Sequence, residues 1–219
     1  MGKNNIDTNQ KLQRFYELPK DEQWNVVTHA LGALASGVGV VILFQQVKTD
    51  ALALLGLLIY GASMVFLFSA SAIYHAASSS KKSFWQKVDH IGIYFLIAGT
   101  YTPVALTILK DSSGMYLLAG VWSIALFGTI YKIFLIHKFH NLSLFLYLAM
   151  GWLVILDIDN VWRLFPLDAF YALVAGGFFY TLGTVFYRWE KLYFHHVIWH
   201  FFVLAGAFSH YTMVAYLMV

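Results

Sequence analysis

Seven long apolar runs limit what this chain can fold into more than any other feature. They lie at 24–44, 51–75, 89–109, 115–136, 142–158, 167–187 and 195–219. A helix rising about 1.5 Å per residue needs about 20 apolar residues to cross the hydrocarbon of a bilayer. Inside that hydrocarbon every backbone N–H and C=O must find an internal partner. The sequence therefore predicts an all-α fold, a seven-transmembrane helix bundle. Hydrophobic residues make up 60% of the 219 residues and charged residues 11%, and the mean hydropathy is +0.66. That balance excludes a soluble domain of this size. The fifth run is the shortest, closed by Asp157 and Asp159.

The connections are short and polar: Lys48-Thr49-Asp50, the stretch 78–83, and Asp111-Ser112-Ser113-Gly114. Pro19 and Pro166 stand where a helix can begin, since a first-turn proline loses no needed donor. Residues 1–20 carry both charge signs and lack the apolar core and cleavage site of a signal peptide. They are expected to be retained as a polar N-terminal segment ahead of one membrane domain over 21–219.

Orientation follows from the basic residues. With seven spans, one side receives the N-terminal segment and the loops after the second, fourth and sixth runs. That side takes Lys3, Lys11, Arg14, Lys20, Lys81, Lys82, Lys87, Lys132, Lys138, Arg188 and Lys191, eleven of the 14 basic residues. Lys48, Lys110 and Arg163 fall on the other. The N-terminus is predicted cytoplasmic and the C-terminus outside, in a multi-pass protein of the cell (plasma or inner) membrane. Small residues at four-residue spacing, Gly32 with Ser36 and Ala33 with Gly37, suit close helix contact.

This topology brings polar residues to one layer. Glu22, Asn25 and His29 open the first span, and Ser71 and His75 close the second. Asp89 and His90 open the third, and His195, His196 and His200 open the seventh. Ionisable groups inside a membrane bundle are costly and need a reason. His196 and His200 share a helical face, and His75 adds a third imidazole. With no cysteine in the chain, a transition-metal site must use histidines and carboxylates. Three histidines leave one tetrahedral position open, the pattern of catalytic zinc. No glutamate follows His196, so the zincin motif is absent. Asp89 is the candidate base and Ser71 a candidate for orienting water or an oxyanion. Blander readings stand beside these. The histidines can bond across helices, Asp89 can cap the third span, and Ser71 can serve packing alone. For Glu22, Asn25 and His29 the favoured reading is a hydrogen-bonded network pinning the start of the first span. His90 and His195 are expected to point elsewhere, and His137 and His140 to lie in a loop.

At these residues the chain resembles the bacterial haemolysin III family, within the progestin and adiponectin-receptor superfamily. The resemblance rests on Glu22-x-x-Asn25-x-x-Thr28-His29, Ser71-x-x-Tyr74-His75, Lys87-x-Asp89-His90-x-Gly92 and His196-x-x-x-His200. It implies seven helices with a cytoplasmic N-terminus. It also implies zinc held by His75, His196 and His200 with Asp89 near the bound water. Relatives in the wider superfamily include ceramidases.

Three functional readings follow. The first is a zinc-dependent, ceramidase-like hydrolase of amide or ester bonds in membrane lipids. The second is a non-enzymatic membrane-homeostasis factor or lipid sensor with structural zinc. The third is a cytolysin, which a chain this apolar supports poorly, because a secreted pore-former must be soluble before it inserts. Membrane lipids are the expected partners, and nothing points to nucleic acid. A retinal-binding pump is excluded, since no lysine follows Lys191.

Overall fold

The computed structural model describes residues 13–47, 50–135 and 140–219. Most of the N-terminal segment, the Lys48-Thr49 turn and His137 thus lie outside the described residues. The helices are α1 (Lys20–Gln46), α2 (Ala51–Ala76), α3 (Ser79–Leu106), α4 (Gly114–Leu135), α5 (His140–Trp152), α6 (Ile158–Leu164), α7 (Leu167–Arg188) and α8 (His195–Met218). A 3-10 turn, Leu153–Asp157, joins α5 to α6. Among the described residues there is no strand.

Among the described residues, six segments are long and apolar enough to cross a membrane: α1, α2, most of α4, Asn141–Leu164, α7 and α8. α3 is more polar than these six and completes a bundle of seven. It begins at Ser79, ten residues before the predicted start at Asp89. From Ser79 on, the stretch 78–83 is therefore the polar first turn of a helix rather than a loop. Only Ala77 and Ser78 separate α2 from α3. Lysines are good helix formers, so a helix can project past the hydrocarbon into the headgroups. The fifth span is also longer than predicted, reaching Leu164 in two pieces.

Each end has a local cause. Pro19 and Pro166 immediately precede α1 and α7. The Asp50 carboxylate accepts from Leu52 N at 3.0 Å and so caps α2. The break in the fifth span is held by Tyr101 of α3. Its hydroxyl faces Met150 O and Gly151 O, each at 3.0 Å, and accepts from Val154 N at 2.9 Å. Hydroxyls buried in the spans bond back to their own helix, as Ser36 does to Gly32 O at 2.7 Å and Thr102 to Ala98 O at 2.8 Å. Each of those hydroxyls therefore has a partner inside the hydrocarbon.

The helices pack in sequence, α1 on α2, α2 on α3 and α3 on α4, while α8 packs against both α7 and α1. Contacts of the fifth span are sparse. Close approach depends on glycine: a Cβ on Gly56 would sit 2.5 Å from Pro103 Cα, backbone against backbone. Tyr60, Phe68, Tyr94, Leu57 and Leu109 are fully buried. Leu34, Val38, Leu58, Phe127, Leu156 and Phe208 are exposed on the outer faces. An apolar girdle of this kind is compatible with lipid and not with water.

Candidate metal centre

The convergence of helix ends sets the site. α2 ends beside the starts of α1, α3 and α8, and His75, His196 and His200 meet there. Each offers one ring nitrogen, and the three lie within 4.8 Å of one another. Ring centroids are 5.1 Å apart for His75–His196, 4.9 Å for His75–His200 and 4.8 Å for His196–His200. The edge of a zinc tetrahedron is about 3.3 Å, from bonds of 2.0–2.1 Å. The difference is on the scale of small side-chain torsions.

Hydrogen bonds fix which nitrogen two of the three rings present. His75 Nδ1 lies 2.6 Å from Glu22 Oε2. The carboxylate can only accept, so Nδ1 carries the proton and Nε2 keeps its lone pair. His75 Nε2 is buried with no hydrogen-bond partner. His200 Nδ1 lies 3.2 Å from Thr28 Oγ1. The Thr28 hydroxyl already donates to Trp24 O at 2.8 Å, so it accepts from Nδ1 and frees the His200 Nε2 lone pair. A metal-binding imidazole almost always donates its other N–H in this way. An orphaned Nε2 facing two further imidazoles is the donor set that zinc prefers. The cluster can hold a metal ion.

Glu22 is itself held, accepting from Lys82 Nζ at 3.1 Å, and Lys82 also donates to His75 O at 3.3 Å. The hydrogen-bonded network expected at the start of α1 runs outward from Glu22, to His75 and Lys82. Among the described residues no side-chain hydrogen bond joins the three to one another. Glu22 serves His75, and the His29 ring stacks on His200 at 3.5 Å and 8°. α8 opens after Phe194, which has φ 61°. A bulky residue in the left-handed region is strained, and here the strain adjoins His196.

Asp89 stands ten residues inside α3, so it does not cap that helix. It is 8% exposed and lies beside Ser71, within the field of His75 and Lys132. Ser71 is 1% exposed. All of these except His75 border one cavity of about 230 Å³, which continues past Leu96, Val104 and Leu109 to Met213. Its lining is polar at the histidine end and apolar along its length. His90, expected to point away, borders the cavity as well, whereas His195 is absent from its lining. Sequence reasoning missed Lys132 as a site neighbour: it was counted as a loop cation, yet it is 3% exposed on the cavity wall. Its place inside an apolar run was the available signal.

The sequence model of the family described as Haemolysin-III related matches residues 19–211. The chain is 42% identical over 191 residues to the Hemolysin-3 homolog of Bacillus subtilis (strain 168), covering 86% of this chain and 90% of that protein. Identity is 38% over 201 residues to Hemolysin-3 of Bacillus cereus, covering 90% and 92%. The human Monocyte to macrophage differentiation factor is 33% identical over 202 residues, covering 87% and 81%.

Proposed function

Because the chain belongs to the haemolysin III-related family, we propose that it is a zinc-dependent hydrolase of amide or ester bonds in membrane lipids. One observation carries this reading: three imidazoles, two with their outer nitrogens already bonded, stand with a buried carboxylate at the head of an apolar cavity. We take the N-terminus to be cytoplasmic, which puts the centre beneath the inner headgroups. His75, His196 and His200 hold the ion. Zinc so held supplies Lewis-acid polarisation of a carbonyl oxygen and acidifies water. Asp89 accepts a proton from the attacking water and returns it to the leaving amine or alcohol. Ser71 orients that carboxylate. The apolar length takes the acyl chain and keeps bulk water from the reacting carbonyl.

The test is fatty-acid release by zinc-loaded protein from a panel of amide and ester lipids. Asp89→Asn should keep zinc and the melting temperature yet lose turnover about 10²-fold or more. His196→Ala and His200→Ala should lose the metal by elemental analysis. Zinc-loaded wild type that releases no fatty acid overturns the proposal.

A second reading, structural zinc in a lipid sensor, has its own support. The Lys82–Glu22–His75 and Thr28–His200 bonds tie α3, α1, α2 and α8 together. In that case Asp89→Asn is mild and His75→Ala melts the bundle.

A further inference from the structure

Lys132 on α4 has no place in the chemistry above. Its level is fixed by its neighbours: Lys87 Nζ donates to Ile133 O at 2.9 Å, and the Tyr94 ring lies against Gly128. α3 and α4 run antiparallel there, so Lys132 stands at the depth of Asp89 and His90. Lys87 shows how a lysine near a span end ordinarily reaches out to a backbone carbonyl at the surface. Lys132 is turned inward instead. It borders the cavity with Asp89, Ser71, Ser143, His196 and His200. Among the described residues it makes no hydrogen bond and no ion pair. It feels the Asp89 charge without closing a salt bridge to it. A lysine buried in a membrane span with no salt bridge closed is expensive, and it marks a ligand path. Three donors facing a cavity call for an anion. Ser143, 3% exposed, adds a hydroxyl on the same wall.

We propose that Lys132 determines specificity by receiving an anionic group, carboxylate or phosphate, on the headgroup side of an acylated lipid. The inference rests on the lipid-hydrolase reading. The acyl chain takes the apolar length toward Leu109 and Met213, which leaves the polar end, with Lys132, for the headgroup. Asp89 alone would repel an anion there, and Lys132 offsets that charge. Neutral lipids of the ceramide type lack the group that Lys132 binds.

The experiment measures binding to full-length protein in neutral detergent, by tryptophan fluorescence, using ether lipids that cannot be hydrolysed. Two matched pairs differ only in charge: 1-O-hexadecylglycerol 3-phosphate against 1-O-hexadecylglycerol, and hexadecyloxyacetate against 2-hexadecyloxyethanol. Wild type should bind at least one anion tighter than its neutral twin by about ten- to a hundred-fold, the loss expected for one charge-assisted hydrogen bond. The pair with the larger preference identifies phosphate or carboxylate. Lys132→Gln should abolish the preference and leave the neutral twin unchanged, and Lys132→Arg should retain it. Equal binding of both twins by wild type overturns the inference while the lipid cavity stands. So does a preference that survives Lys132→Gln, or a Lys132→Gln loss shared equally by both twins, as expected if Lys132 only balances Asp89. If wild type binds no member of either pair, the lipid-cavity reading itself fails.

Discussion

Glu22 offers the sharpest test of the metal centre because it touches the site only through His75. Its Oε2 sits 2.6 Å from His75 Nδ1, and the His75 side chain is 4% exposed. A hydrogen bond to a charged group contributes about 1.5–3 kcal/mol and a neutral one about 0.5–1.5 kcal/mol. Glu22→Gln keeps an acceptor but loses the charge, a difference of about 1–1.5 kcal/mol, or close to tenfold in affinity. Glu22→Ala removes the acceptor and leaves a buried N–H unpaired, so zinc should weaken by about 10–100-fold. Competition against a chromophoric chelator, in detergent and at constant pH, reads both values. Lys82→Ala is the control. Its side chain is 31% exposed, so its ion pair with Glu22 is screened and worth at most about 1 kcal/mol. The expected order of affinity is wild type, Lys82→Ala, Glu22→Gln, Glu22→Ala. If Glu22→Ala binds zinc as tightly as wild type, His75 is not oriented from outside. The argument from its orphaned Nε2 then collapses.

Two further substitutions probe the frame around the site. Gly56→Ala drives a methyl into the Pro103 backbone and should destabilise by about 1–3 kcal/mol. That lowers the melting temperature by about 2–10 °C, while Gly37→Ala, which meets nothing within 4 Å, should leave it unchanged. Tyr101→Phe strands the Val154 N–H and should cost about 1–3 kcal/mol. Hydrogen exchange should quicken across 150–157, and unchanged exchange there would remove Tyr101 as the clamp on the fifth span.

Legibility in the sequence followed the physics that set each feature. The apolar runs announced the spans because lipid permits few alternatives. Even so, the start of α3 was misplaced by ten residues. Hydropathy reports where the hydrocarbon ends, and a helix of Ser79, Lys81, Lys82 and Lys87 continues beyond it. The His75, His196 and His200 grouping was visible from depth and spacing alone, since topology fixes the depth and the four-residue interval fixes a face. The Glu22 bond to His75 was not visible. Depth and spacing gave Glu22 a stripe on its own helix, and which neighbour that stripe meets depends on how α1 packs between α2 and α8. Lys132 was lost for the opposite reason. Counting it toward topology treated its charge as belonging to the surface, but its rotation about α4 aims it inward. Helical periodicity gives little warning there, because an apolar run in lipid has no polar face against which to judge inside from outside.

The position of the centre at helix ends, and not at mid-depth, follows from what each depth permits. His210 makes the contrast. It lies further along α8 from His200 and borders the same cavity, and only glycine at 176 leaves room for its ring. Its Nε2 is buried with no partner. Among the described residues His210 joins no cluster of metal-ligating side chains. At the histidine end, α1, α3 and α8 begin and α2 stops, so four helices contribute their end segments there. Those turns carry polar residues at low cost because their termini are already hydrated or capped. Glu22 and Thr28 supply the outer partners in that layer. An ion site needs both its ligands and the groups that aim them. Here the bundle assembles that second set where its helices start and stop.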